Sequence, residues 1–443
     1  MTTYLIIGAG AAGISAVEAI RSQDPYGEII QVCDEAAGYY SRPGLAYLLT
    51  GEISEDCLYP FQKSDFSRLK VHLLRAQVKR ILPVEHRVEL QNGQTLPYNR
   101  LLIAVGAHAS QAKVPGIELE GVVKLDNLED AHKILKVAHR RRTAVIVGGG
   151  ITALELVEGF RSRGMNVHYF LRGDRYWSNV LDETESRIVE LRLKEEGIQI
   201  HYQTELGEII GKHGKVTGVI TTSGQKFGCD IVGIAIGIQP RKGIAESAGI
   251  KTDRGISVNE YLCTSDPDIF AAGDVAQVYD PTIGKAILDS LWIPARKQGF
   301  AAGLNMVGKK TSYIKGVPFN VTRLAGLTTT IIGAIGGQEQ DVDVVGIVRG
   351  DSEGWRQMPD ALVAQANFEV NRLRLLVGEH YLAGALLMGD QTLSHALHRL
   401  VAEKIDITPI REKILNPDRS IPDVIGDFWN ELASSRRREH AAV

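Results

Sequence analysis

A chain of 443 residues is longer than one ordinary core requires, so two to four domains are expected. It is 44% hydrophobic and 23% charged, with a formal net charge of -3; that is a globular composition, without the charge of a nucleic-acid or membrane partner. No apolar stretch approaches the roughly 20 residues that span a bilayer. Met1 runs straight into an apolar strand without a basic region or cleavage site, so no signal peptide is expected, and four cysteines without paired spacing make the cytoplasm the expected compartment.

In chain order, Tyr4 to Gly13 reads YLIIGAGAAG, a short β-type run followed by glycines. A helix is predicted over Ala11–Ser22, ended by Pro25 and Gly27. A strand over Ile29–Cys33 leads into Asp34 and Glu35. Strands around Arg87–Leu90 and Thr95–Pro97 flank Asn92-Gly93, a hairpin turn pair. A further strand, Arg100–Val105, closes at Gly106.

Ala144 to Ala153 reads AVIVGGGITA, repeating the first unit 140 positions on, about one domain length. Its helix is predicted over Ile151–Arg163 and its second strand over Val167–Leu171, with further strands near Ile198–Tyr202, Val216–Thr221 and Ile231–Ile236. From about Pro318 the texture changes. Apolar β-rich runs (Thr329–Ile335, Val342–Val348, Leu362–Phe368, Arg372–Val377) precede a helical end, and the tail from Ser434 reads as a frayed, solvated end. The expected fold class is α/β: two Rossmann-like, doubly wound nucleotide-binding domains and a smaller α+β C-terminal domain.

The four cysteines, Cys33, Cys57, Cys229 and Cys263, show no C-x-x-C spacing, so no zinc or iron–sulfur ligand set is expected. The glycine loops carry the chemistry. In Gly8-Ala9-Gly10-Ala11-Ala12-Gly13, Gly8 permits the tight turn, Gly10 lets a pyrophosphate approach the backbone, and Gly13 lets the helix pack on the strand. The phosphates then meet the positive end of the helix. Asp34 or Glu35 is placed to accept ribose hydroxyls; the residues leave open which. The second loop, Gly148-Gly149-Gly150-Ile151-Thr152-Ala153, repeats the pattern with alanine in the third slot. Its second strand ends in Leu171-Arg172, with Arg175 close behind and no carboxylate at the strand end. Arginine pairs with a 2′-phosphate that a carboxylate would repel, so NADPH is favoured over NADH.

Two such loops, with Thr264-Ser265-Asp266-Pro267-Asp268-Ile269-Phe270-Ala271-Ala272-Gly273-Asp274 after them, resemble the FAD-dependent pyridine nucleotide–disulfide oxidoreductase superfamily. Leu101 to Gly106 looks like its strand ending in A-T-G, with Val105 for the threonine. The resemblance implies FAD on Gly8, Gly10, Ala12, Gly13, Asp34 or Glu35, Arg42, Pro43, Val78, Ala104, Gly106, Gly273, Asp274 and Trp292, with Asp274 on the ribityl chain. It implies NAD(P)H on Gly148, Gly150, Ile151, Thr152, Glu155, Arg172, Arg175 and Gly237. Glu155 matches the acid at the flavin–nicotinamide junction and is the one candidate for a catalytic role, with a buried structural acid as the alternative. Leu291-Trp292-Ile293-Pro294-Ala295 resembles the helix start facing the flavin pyrimidine, where a helix N-terminus favours the reduced anion.

The departures narrow the function. Tyr40-Ser41-Arg42-Pro43-Gly44-Leu45 puts Pro43 where thiol-dependent members carry cysteine, and Tyr47 stands near the position of a flavin-side lysine. Disulfide exchange needs a thiolate beside the flavin. Arg42-Pro43 instead resembles ferredoxin and rubredoxin reductases and the flavin domain of assimilatory nitrite reductases. Phe319 to Leu327 and Leu382 to Asp390 resemble their third domain, which often forms a dimer. The expectation is an NAD(P)H:acceptor oxidoreductase with a redox-protein partner, as a homodimer or in a larger complex. An oxygen-using NAD(P)H oxidase and a nucleotide-sensing regulatory flavoprotein are the alternatives.

Overall fold

Every residue of Leu5, Ile6, Leu101, Leu102 and Ile103 is fully buried, because a parallel sheet covered on both faces needs near-continuous apolar runs. Each such side chain contributes about 1.5–3 kcal/mol through burial. In the computed structural model, which describes residues 1–281, 284–333, 362–368, 371–416 and 418–441, these strands form one all-parallel sheet. Its order is Ile269–Ala271, Arg100–Ile103, Thr3–Ile7, Glu28–Cys33, Val71–Arg75. A second parallel sheet runs Gln199–His201, Asn166–Phe170, Thr143–Val147, Ile231–Ile234, Val122–Val123. The repeat in the sequence is therefore a repeat of structure: strand, glycine turn, helix, parallel strand. Antiparallel hairpins adjoin each sheet, among them Arg87–Leu90 with Thr95–Pro97, whose Gly93 takes φ +83 as the turn requires.

Two compact units result. The first holds Met1–Asp174 and Leu193–Lys315, and so both glycine loops. The second combines Arg175–Arg192 with the described residues from Gly316 onward. Its sheet is wholly antiparallel, ordered Phe319–Leu324, Leu327–Gly333, Leu382–Met388, Asn371–Val377, Leu362–Phe368. The helices Ser394–Ala402, Arg411–Leu415 and Ile421–Ala441 follow that sheet and share its core through Leu397, Leu400, Ile414 and Ile425, an α+β arrangement.

Some boundaries differ from expectation. The predicted strand Arg100–Val105 stops at Ile103, because Ala104 turns its carbonyl under Gly8. The strand predicted near Ile198–Tyr202 spans only Gln199–His201. The tail is not frayed from Ser434: a run of good helix formers carries the last helix through Ala441. The run Val342–Val348 lies outside the described residues.

Helix–helix contact completes the first unit. The helix Ala11–Gln23 and the helix Trp292–Met306 touch through glycine. A Cβ on Gly299 would lie 2.0 Å from the Ala12 carbonyl oxygen, and one on Gly303 2.6 Å from that of Ala16. Only hydrogen fits at either place, and this close approach fixes the start of the later helix beside the first glycine loop.

Candidate functional site

The two loops solve the same backbone problem twice. Gly8 takes φ +112 and Gly148 φ +144, a region that disfavours side chains. Each N–H donates to a carbonyl at the end of the second strand, next to last in one and last in the other: Gly8 to Val32 at 2.8 Å, Gly148 to Phe170 at 3.3 Å. A Cβ on Gly8 would sit 2.2 Å from the Ala104 oxygen, and one on Gly148 2.1 Å from the Ala235 oxygen. Gly13 fits for a further reason: its Cβ would reach the Gly8 carbonyl at 2.2 Å. The middle glycines differ. Gly10 (φ -78) and Gly150 (φ -108) have backbones that any residue adopts, and a Cβ there would meet nothing within 4 Å. No protein atom requires glycine at these two helix N-caps, and neither cap is closed by a side chain. The free N–H groups and the open space suit a phosphate group.

Around the first loop, Asp34 is exposed, whereas Glu35 is engaged on both oxygens. Tyr40 donates its hydroxyl to one oxygen of Glu35 at 2.8 Å and accepts the Leu128 N–H at 3.0 Å. Arg42 donates to the other oxygen and to the Asp126 carbonyl. Burial holds the Tyr40 phenol well above its ordinary range, so it stays a donor. Pro43 and Gly44 form a tight turn with Arg42. Gly106 takes φ +66 with open space over its Cα, and Ala104 beside it is buried. Val78, half-buried, begins the strand Val78–Leu82.

Gly273, at φ +80, leads into half-buried Asp274. Its N–H donates to Gln298 Oε1 at 2.8 Å, and Gln298 is fully buried. Ala12 packs against this turn: a Cβ on Gly273 would lie 3.1 Å from that of Ala12. Trp292 opens its helix and stacks on Tyr39, with centroids 6.1 Å apart and planes at 18°. Gln298 and Tyr39 were missed in the sequence. The available signal was Gln298-Gly299, a polar residue beside the glycine that meets the first helix.

On the second loop, Ile151 is buried, and Thr152 and Glu155 are half-buried on the helix Ile151–Ser162. Gly237 takes φ +118 and accepts the Ser110 N–H at 2.9 Å. The strand Asn166–Phe170 ends in buried Leu171 and exposed Arg172. Arg172 makes no ion pair with Asp174 or any other described residue. Arg175 is half-buried and donates to the Ser178 carbonyl at 3.3 Å.

The pyridine nucleotide-disulphide oxidoreductase family matches residues 2–299, about two thirds of the chain and all of both loops. The chain belongs to that family. Among its relatives is the 3-phenylpropionate/cinnamic acid dioxygenase ferredoxin–NAD(+) reductase component of Photorhabdus laumondii. It is 31% identical over 340 residues, covering 76% of this chain and 85% of that protein. The assimilatory nitrate reductase electron transfer subunit of Bacillus subtilis is 26% identical over 94% of this chain, which spans 51% of its length. In structure, a ferredoxin reductase from Rhodopseudomonas palustris superposes with a TM-score of 0.83 at 23% identity, over 96% of this chain and 100% of that one. The likeness in fold thus extends beyond the part matched to the family.

Family membership makes the cysteines worth placing. All four are free. Burial pushes the thiols of Cys33, Cys229 and Cys263 up, that of Cys229 to about 12, so none of these three is held as a thiolate. Among the described residues no cluster of histidine, cysteine and carboxylate could hold a metal, and no helix is long and apolar enough to cross a membrane.

Proposed function

We propose that this chain is an NAD(P)H:acceptor oxidoreductase that holds FAD on the Gly8–Gly13 loop and NAD(P)H on the Gly148–Ala153 loop. Its acceptor is an iron–sulfur or other redox protein. One observation carries the reading: two helix N-termini in one compact unit, each with a middle glycine that nothing in the protein requires. Bound FAD supplies the chemistry, taking a hydride and returning electrons singly. Per NAD(P)H oxidised, two one-electron acceptors are reduced and one proton is released.

The protein's own residues bind and orient. Asp34, exposed at the strand end, is the residue for the FAD ribose, because Glu35 is engaged with Tyr40 and Arg42. Asp274 serves the ribityl chain, held in place by the Gly273 turn that Gln298 secures. Glu155 shapes the junction where nicotinamide meets flavin. Pro43 in the loop and the unactivated thiols support electron transfer without a disulfide. The named reductase relative is an NAD(+) protein, whereas the free Arg172 at the strand end supports NADPH here; nucleotide choice is where this chain departs from that relative.

Purified protein is expected to be yellow, with one FAD per chain, and to bleach anaerobically with NADPH. It should then reduce ferricyanide or a ferredoxin, and Asp274→Ala should lose the flavin. Colourless wild-type protein that cannot be reconstituted with FAD overturns the reading.

A further inference from the structure

Within the first unit the chain crosses twice between the sheet of the Gly8 loop and the sheet of the Gly148 loop, outward after Arg100–Ile103 and back after Ile231–Ile234. The crossings pair as an antiparallel ribbon of three residues each, Ala107–Ala109 with Ile238–Pro240. A ribbon so short is marginal by itself and leaves the two sheets free to turn about it. Two sets of side-chain bonds oppose that turn. In the first, Arg163, closing the helix Ile151–Ser162, donates to the Leu49 carbonyl at 3.0 Å and the Leu48 carbonyl at 3.2 Å. The second converges on Asp126, whose side chain is only 10% exposed. Its carbonyl accepts from Arg42, which stands in the half of the Gly8 loop and is paired with Glu35. Its carboxylate accepts from Arg241 of the return crossing at 3.5 Å, and Arg241 also donates to the Ala107 carbonyl of the outward crossing at 3.2 Å. Lys124 donates to the same carboxylate oxygen at 3.3 Å. Two residues on, the buried Leu128 N–H donates to the Tyr40 hydroxyl at 3.0 Å.

We propose that Asp126 is a positioning residue for hydride transfer, fixing the angle between the half that takes FAD and the half that takes NAD(P)H. This rests on the loop assignment above. Two halves held only by the ribbon and Arg163 can still turn about those contacts; a further fixed point stops them. Asp126 supplies it, because its carbonyl is bonded to the half of the Gly8 loop and its carboxylate, through Arg241, to both crossings. Hydride transfer depends steeply on that angle: the reacting atoms must meet at about 3–3.5 Å, and an error of about 1 Å can cost roughly 100-fold. Each loop binds its nucleotide within its own half, so loosening Asp126 lowers the rate and spares binding. Glu35 then has a task other than the ribose: with Tyr40 it holds Arg42 on the Asp126 carbonyl.

The test uses the FAD-loaded full chain in anaerobic stopped flow with NADPH and with NADH, which separates the limiting rate of flavin bleaching from the nucleotide Kd. Asp126→Ala is expected to lower the limiting rate at least tenfold with both nucleotides, while Kd stays within threefold and flavin content is unchanged. Asp126→Asn keeps an acceptor oxygen for Arg241 and should lose less than threefold. Should Asp126→Ala fail to hold flavin, Tyr40→Phe, which removes only the hydroxyl between Glu35 and Leu128, is expected to keep flavin and Kd and to lower the limiting rate at least threefold. A smaller loss of rate, a loss that falls on Kd instead, a loss of threefold or more in Asp126→Asn, or flavin lost from both Asp126→Ala and Tyr40→Phe overturns the positioning role and leaves the reductase reading standing. Wild type that holds no FAD, or that neither nucleotide bleaches, overturns the loop assignment, and this role with it.

Discussion

Gly10 and Gly299 are both glycines beside the first helix, yet they are glycine for opposite reasons. Gly10 has room for a side chain and a common backbone; Gly299 is pressed against the Ala12 carbonyl. Gly10→Ala is therefore expected to leave unfolding of the cofactor-free chain within about 1 kcal/mol of wild type, while FAD affinity falls at least tenfold by titration. Gly299→Ala should destabilise the fold itself by about 1–3 kcal/mol, since the backbone must shift to admit a methyl group. Equal effects of the two on stability would contradict the cradle. Arg172 gives the second residue-scale prediction. Charge-assisted bonds to a 2′-phosphate are worth about 1.5–3 kcal/mol, roughly one to two orders of magnitude in affinity. Wild type should bleach at lower NADPH than NADH concentration, and Arg172→Ala should weaken NADPH while sparing NADH. Anaerobic titration decides it: equal or better use of NADH by the wild type leaves Arg172 a surface charge.

Between elements, the second parallel sheet carries a histidine pair. His168 Nδ1 lies 3.0 Å from His201 Nε2; the Phe227 ring packs on both, and the Phe170 ring on His201 and Phe227. Burial depresses both imidazoles below their ordinary value of 6.5, and a single N–H bond between the rings needs at least one of them neutral. The sign follows. Above pH 6.5 both folded and unfolded chains are neutral here, and the pair's contribution is whole. As pH falls below that value, the unfolded chain takes up protons that the folded pair resists, and stability is lost until the depressed folded pKa is passed. Wild type should lose more Tm between about pH 7.5 and 5.5 than His168→Gln does. Parallel losses in the two proteins would remove the pair from the account.

At the scale of the whole molecule, the second unit is pinned by ions. Arg374 donates to Glu185 at 2.8 and 3.0 Å, and Arg372 to Asp182 at 2.6 Å, with Arg372 and Glu185 buried almost completely. These bonds join the segment Arg175–Arg192 to a sheet almost 200 positions further along the chain. Glu185 is buried deeply enough that desolvation raises its pKa despite Arg374. Arg374→Leu takes the two-bond partner from a buried carboxylate, leaving it only Arg372 at 3.5 Å, and should cost about 3–5 kcal/mol, whereas Arg374→Leu with Glu185→Leu should recover much of it. Thermal unfolding of the three proteins checks this; a double variant no better than the single would point to lost packing instead.

The two glycine loops, their strands and their helices were legible in the sequence, because period, turn chemistry and glycine position are local properties. Gly8, Gly13 and Gly148 could be assigned their tasks from spacing alone, and the hairpin at Asn92-Gly93 from two residues. Which of Asp34 and Glu35 is engaged by other side chains could not be read that way. That took Tyr40, Arg42 and Asp126, brought together from both sides of the first hairpin. Gln298 under Gly273, the packing of Gly299 on Ala12, and the Arg175–Arg192 segment joining the C-terminal sheet were likewise decided by tertiary structure. Each depends on contact between residues far apart in the chain, and a buried polar group finds its partner in space, where sequence spacing carries no signal.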